Sequence, residues 1–310
     1  VAQIEEFTGL RVKSVLCHYD DIQLAVEHYY RETKTDNADL ASFNLPTAMV
    51  KEKRLDLSDK IHQVNDLPAS KTHLNHLETL TNDKSSSPQD LVLAISADPV
   101  ITAYVLRIAN SPAFTMPGDV DSVALALTLI DRAGLQHVIE HCKENLHDDP
   151  LQQQWSEQAR KASIVATAMA SNNQRIGRSV AHSIGILAEL GRFILLDLAP
   201  QDYKSIDPKL HGADLLDTER RLLAVTHVEA SAALVARWRF PDTLSDALKN
   251  GAQPGDAGEL QALAALAGLT PSLAQDPAEC NLQKYQDHLK ILGLSENKAR
   301  NITQEALKNT

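Results

Sequence analysis

The sequence predicts a mainly α protein: a multi-helix bundle carrying a small strand–helix extension at its N-terminus. Three observations carry this expectation. Apolar residues recur at three- and four-residue steps from residue 59 almost to the end. Helix start signals punctuate that stretch repeatedly. Aromatic residues make up only 4% of the 310 residues, so the core must rest on Leu, Ile, Val and Ala, which favours helix packing over an aromatic-rich sheet. A globular chain of this length buries roughly 75% of its extended surface, enough for one large or two smaller domains.

The extension comes first. Residues 10–16 alternate apolar and polar, which suits a half-buried strand. Asp20 can cap a following helix with Ile22, Ala25, Val26 and Tyr29 on one face. Residues 1–32 thus read as a partial strand–helix unit, too small to bury a core by itself. Residues 33–58 read as a linker or an arm that wraps the main domain. Residues 59–310 are assigned to the helical domain, which is expected to fold without the N-terminal piece.

Within that domain, Ser87-Pro88-Gln89-Asp90 places a capping serine before a proline at the first helical position, with an acid in the first turn. Asp98-Pro99 repeats the device ahead of Ile101, Val105 and Ile108. Ser122 caps a helix running through Leu125, Leu129 and Ile130. Residues 181–198 read as one strongly apolar central helix stopped by Pro200. Thr226-His227-Val228-Glu229 is a capping box, opening a helix that reaches Trp238 and stops before Pro241. No further strand is expected.

Composition excludes several functions. A formal net charge of -11 repels phosphate backbones and anionic lipid heads, and no dense Lys/Arg tract opposes it. Nucleic-acid partners are not expected. No apolar run approaches the ~18 residues needed to span a bilayer, and no signal peptide is visible, so membrane insertion is not expected either. Cys17, Cys142 and Cys280 are odd in number and far apart, which points to a reducing cytoplasm rather than a disulfide framework or a Cys-rich zinc site. Glycine-rich phosphate loops and nucleophile elbows are absent.

Some constellations imitate chemistry. His137-Val138-Ile139-Glu140-His141 matches the HxxEH pattern of inverted zinc proteases, with both imidazoles on one helical face and Glu140 available as a base. Five-residue matches arise by chance in a chain with 12 His, and ordinary helix surface is the favoured reading. His73, His76 and Glu78 read as a solvated face rather than a metal trap. His147-Asp148-Asp149 reads as a polar turn before Pro150. Asn110 and Ser111 close a helix and are expected to bond the local backbone.

Three longer runs resemble the HDOD family, a branch related to HD-domain phosphohydrolases. Asp98-Pro99 followed by Leu106-Arg107-Ile108-Ala109-Asn110-Ser111, with Phe114, is similar to the family's early run. Glu219, then His227-Val228-Glu229, then Trp238 and Pro241, is similar to a later one. Gly185-Ile186-Leu187-Ala188-Glu189-Leu190-Gly191 falls where relatives have GLLHDxG. The resemblance covers about residues 59–310 and implies an HD-like fold. In HD enzymes the metal is held by separated His residues and an adjacent His-Asp pair. Here that pair reads Ala188-Glu189, and the earlier His position, in a helix expected to start at Trp155, is assigned to Glu157. His227 keeps a recurrent family position, while Asn250-Gly251 stands where relatives often end with a His pair. Glu157, Ala188, Glu189 and His227 are therefore read as relict positions, with no catalytic residue, no metal and no cofactor. His227, in the first turn of a helix, is expected to be buried, neutral and engaged in hydrogen bonding.

What the resemblance implies is a non-catalytic signal-transduction module that binds an unidentified signalling protein, often in bacterial pathways using cyclic nucleotides. The alternatives are a divergent metal-dependent phosphohydrolase and a small-ligand (cyclic nucleotide) sensor using the relict cavity. Separately, Phe7-Thr8-Gly9-Leu10-Arg11-Val12 and the helix after Asp21 are similar to the C-terminal end of the domain preceding type II secretion and type IV pilus ATPases. Some such domains bind cyclic di-GMP through segments that lie upstream, which implies a link to that pathway.

Overall fold

The computed structural model describes residues 55–114, 119–173, 176–208 and 210–308. The chain divides between residues 51 and 52, and the second unit contains every described residue. The strand–helix unit expected at 1–32 and the linker or arm up to residue 54 lie outside the described residues. The last residues of that 33–58 segment do not form a spacer. The Leu55 and Leu57 N–H groups donate to the carbonyls of Leu222 and Leu223 at 3.0 and 3.1 Å, and Leu57 is fully buried. This has a direct consequence. A chain beginning at residue 55 should be more stable than one beginning at 59, by about 2 kcal/mol for the lost Leu57 side chain. Denaturation midpoints of the two chains measure it, and equal midpoints would mean that Leu57 adds nothing to the core.

The bundle is built from α1 (Lys71–Asn82), α2 (Pro88–Ile95), α3 (Pro99–Ala109), α4 (Val123–Lys143), α5 (Pro150–Ala170), α6 (Arg178–Leu187) and α7 (Leu190–Leu198). The second half contains α8 (Pro200–Lys204), α9 (Gly212–Leu223), α10 (His227–Arg237), α11 (Asp242–Lys249), α12 (Gln261–Gln275), α13 (Gln286–Leu292) and α14 (Glu296–Lys308). The expected caps are in place. Ser87 and Asp90 form a reciprocal capping box, the Asp98 carboxylate accepts the N–H groups of Val100 and Ile101, and Ser122 accepts that of Leu125. Asp98 reaches further: its second oxygen accepts the Ser70 N–H at 3.2 Å, tying α3 to the start of α1. Asn110 behaves as a structural clamp, donating to the Leu106 and Val120 carbonyls and accepting the Val120 N–H.

Several expectations need correction. α5 begins at Pro150, not Trp155, because Asp149 accepts the Leu151 N–H and caps the helix just as Asp98 caps α3. His147 is not part of a turn: Leu146–His147 pairs in parallel with Ala69–Ser70, so the helical domain does contain two short strands. The apolar stretch 181–198 is not one helix. It is α6 and α7, broken at Ala188 and Glu189, where Glu189 has φ -93° and ψ 4°. Taken together, Arg178–Leu198 is long and apolar enough to cross a membrane, contrary to the sequence expectation, but 83% of its apolar window is buried inside the bundle. Ile184, Ile186, Leu187, Leu190, Ile194 and Leu195 are fully buried, so these two helices form the centre of the core. α5 packs along α6 and α12, and α7 packs along α10.

Candidate functional site

The break between α6 and α7 places Glu189 at the mouth of α7 and turns its carboxylate inward. The site is assembled from this break, α5, α8, α9 and α10. Arg192, one turn into α7, lies beside Glu189, with Nη1 to Oε2 at 2.9 Å. Both are buried. The guanidinium stacks over the Trp155 ring at 4.5 Å, and the same Nη1 reaches the Gln158 side-chain oxygen at 3.4 Å. A buried ion pair of this kind persists because each charge is met by the other; the burial cost of either alone would be several kcal/mol.

His227 opens α10 through the expected capping box: Thr226 Oγ1 accepts the Glu229 N–H, and Glu229 accepts the Thr226 N–H. The imidazole is buried, as expected. Its Nδ1 lies 2.8 Å from Glu219 Oε2, and its Nε2 lies 3.7 Å from Glu189 Oε1. Glu219, on α9, is fully buried; it also accepts the His227 backbone N–H at 2.8 Å and the Tyr203 hydroxyl at 2.6 Å. Five polar side chains from four helices thus form one continuous network. Burial opposes protonation of His227, but the Glu219 carboxylate, its hydrogen bond and Glu189 outweigh it and raise the imidazole above its ordinary value. Against the expectation drawn from the helix start, two carboxylates at close range favour protonation of His227. For Glu189, burial pushes the carboxyl up, yet Arg192 and His227 hold it below the ordinary value.

The linkage sign for His227 follows. A raised folded-state value stabilises the fold fully below about 6.5, the ordinary value, and that stabilisation is lost as pH rises through the raised one. His227→Gln should therefore lower the denaturation midpoint most below about pH 6.5 and progressively less above it. His227→Ala should cost about 1–3 kcal/mol by leaving Glu219 short of a donor. A gap between wild type and His227→Gln that widens with rising pH would contradict the upward shift.

The other sequence candidates are dispersed. Ala188 is buried at the α6 C-cap and contributes no ligand atom. Glu157 is not at the site. It is exposed and pairs with Arg160 and Lys161, because it lies two positions from Trp155 and so points away from Arg192; α5 reaches the site through Trp155 and Gln158 instead. Gly251, of the Asn250-Gly251 pair, offers its carbonyl to His288 Nε2 at 2.8 Å, so an imidazole does enter this region, from α13. The HxxEH residues separate: His137 is exposed, Glu140 pairs with Lys143, and His141 lies 3.1 Å from Asp66. Among the described residues, no group of three or more His, Cys, Asp or Glu side chains is placed to hold a metal ion. The donor set at the relict position does not fit one either, since Arg192 takes up Glu189 and the His227 and Tyr203 donors take up Glu219. Glu219, Arg192 and Tyr203 were not nominated from the sequence. One signal was available: Glu219 falls four residues from both Leu215 and Leu223, on the apolar face of its helix, where an acid demands a partner.

A pocket of about 150 Å³ opens above the network, with Glu189, Arg192 and His227 at its floor and Lys284 among its exposed lining residues.

Comparison with known proteins agrees with the fold. The family model of the HDOD domain matches residues 67–254. The chain is similar in structure to the MmoQ response regulator from Methylococcus capsulatus str. Bath, with a TM-score of 0.63 and 22% identity over 77% of this chain and 98% of that one. It is also similar to a virulence factor from Campylobacter jejuni subsp. jejuni, with a TM-score of 0.60 and 18% identity over 80% of this chain and 98% of that one. No curated protein matches the chain. The matched region, 67–254, holds the whole Glu189–Arg192–His227–Glu219–Tyr203 network and does not extend to the N-terminal resemblance. With its helical bundle and a family model that matches more than half of it, the chain belongs to the HDOD family.

Proposed function

We propose that this chain is a non-catalytic regulatory module that acts by binding another protein. One observation carries the reading. At the position where HD enzymes hold metal with an adjacent His-Asp pair, the chain has Ala188 and a Glu189 that is ion-paired to Arg192. A divalent cation needs several converging oxygen or imidazole ligands with free lone pairs. Here a guanidinium supplies the positive charge, and the network's hydrogen bonds are made within the protein. Family membership supports the regulatory class.

A cytoplasmic setting belongs to the same proposal. Cys142 and Cys280 are free and buried, and burial raises both thiols, to about 12 and about 11. A link to cyclic di-GMP signalling rests on the resemblance of the first ~30 residues alone.

Elemental analysis and a phosphodiester assay with added Mn2+ and Mg2+ test the reading. The expected result is no stoichiometric metal and no turnover. Metal near one per chain, with turnover abolished by Glu189→Ala, would establish the divergent phosphohydrolase instead. Copurification with the full-length protein from its native cell would then identify the partner.

A further inference from the structure

α2 has two apolar faces. Leu91, Ala94 and Ile95 are buried in the core. Leu93, about half a turn round from Leu91, is 67% exposed, more than any other large apolar side chain among the described residues. One exposed leucine is ordinary. This one borders an open trough of about 650 Å³ between α2 and α4, walled by Pro88, Val92, Ala124 and Leu127. Past Val92 and Ala124 the trough runs on into a second hollow of about 190 Å³, which ends against Arg178 at the start of α6.

The two ends carry opposite charges. Asp131 lies at the first end, where α4 is kinked: its φ of 54° and ψ of -167° are a conformation that residues with a side chain seldom adopt. Its Oδ1 holds the kink by accepting the Ala133 and Gly134 N–H groups at 2.6 and 3.2 Å, and its other oxygen has no partner among the described residues. The neighbouring Arg132 is turned to other work, donating to the carbonyls of Leu80, Thr81, Asp83 and Ser86. At the far end Arg178 is exposed, and its guanidinium has no hydrogen-bond or ion-pair partner among the described residues. Between Val123, beside Arg178, and Asp131 lies about 12 Å of helix.

We infer that this face joins two copies of the chain into a two-fold dimer, each Leu93 lying in the other copy's trough and each Asp131 facing the other copy's Arg178. A closed two-fold contact needs one surface to carry both halves of every interaction. Here the protruding leucine stands beside the hollow it can fill, and the acid and the base sit at opposite ends of the same trough. An axis through its middle, near Val92 and Ala124, brings each charge onto its opposite. The face is charge-balanced in a chain of net charge -11, so copies can meet here without the repulsion that acts between them elsewhere. A strongly basic partner would meet Arg178 as well as Asp131. The inference stands apart from the metal and turnover results that test the regulatory reading.

Sedimentation velocity on the full chain tests it. A monomer–dimer equilibrium in the micromolar range is expected. Leu93→Asp should weaken dimerisation by at least about tenfold, since one leucine per copy is no longer buried, and should leave the melting temperature of the dilute monomer unchanged. Arg178→Glu should weaken it by about tenfold or more, because like charges then face each other at both ends. Arg178 is the first residue of α6, where a carboxylate suits the helix start, so this variant keeps its fold. Adding Asp131→Asn to Arg178→Glu should restore most of the loss: it removes the repelling charge and keeps the oxygen that accepts the Ala133 and Gly134 N–H groups. No restoration, in a double variant with an unchanged melting temperature, overturns the pairing of Asp131 with Arg178. A chain that stays monomeric well above the micromolar range, or a dimer that Leu93→Asp and Arg178→Glu leave as tight as wild type, overturns the dimer face. So does Leu93-dependent binding of a different protein by a monomeric wild type, which would assign the trough to the regulated partner.

Discussion

Arg192→Met should destabilise the fold by about 3–5 kcal/mol, because it strands Glu189 as an uncompensated buried charge. The loss has a second component, the stacking of the guanidinium on Trp155 at 4.5 Å. The double variant Glu189→Gln with Arg192→Met should recover a large part of the loss, since replacing both partners of a buried pair by neutral groups of similar volume is often nearly neutral. A double-mutant cycle read from denaturation midpoints isolates the coupling. Its pH dependence has a defined sign. Glu189 is held below the ordinary carboxyl value of 4.5, so the stability it contributes is present above that value and lost as pH falls through the depressed one. An Arg192→Met variant with a midpoint within about 1 kcal/mol of wild type would show that the pair is not a buried, mutually dependent unit.

Gly191→Ala is expected to be the second large loss. α7 and α10 approach so closely that a Cβ on Gly191 would overlap the carbonyl oxygen and carbon of His227, which are backbone atoms that no rotamer change can move. The contact is also a polar one: the Gly191 N–H donates to Ser231 Oγ at 2.7 Å. One methyl group must therefore push two core helices apart and displace His227 from Glu219. Overpacking of this kind costs about 1–3 kcal/mol, and the attached network raises the expected loss to the upper end. Ser231→Ala, which removes the hydroxyl and leaves the space, should cost less, about 1 kcal/mol. If Gly191→Ala proved as mild as Ser231→Ala, the close approach of the two helices would not be a constraint.

Local signals were legible because they depend on neighbours in the chain. The capping box at Thr226 and Glu229, the Ser87–Asp90 box and the Asp98 and Ser122 caps follow from hydrogen bonds that close over three residues, so spacing alone identifies them. The same device at Asp149-Pro150 was readable and places the start of α5 five residues earlier than the sequence reading did. The burial of His227 also followed from its place at a helix start within an apolar helix.

Other features depended on contacts between distant segments. No periodicity distinguishes one long apolar helix from two, and the break at Ala188 and Glu189 leaves Glu189 beside both Arg192 and His227. The upward shift of the His227 imidazole comes from Glu219, which is eight residues away on a different helix, and from Glu189 across the core. Glu157 looked like a site residue only while its phase relative to Trp155 was unknown. The sequence by itself determined the helical class, the family and most helix starts, since these rest on short-range hydrogen bonding and apolar spacing. Tertiary structure alone decided which acids and bases meet: burial removes the water that would otherwise screen them, so a contact between residues far apart in the chain sets both their charge and their role.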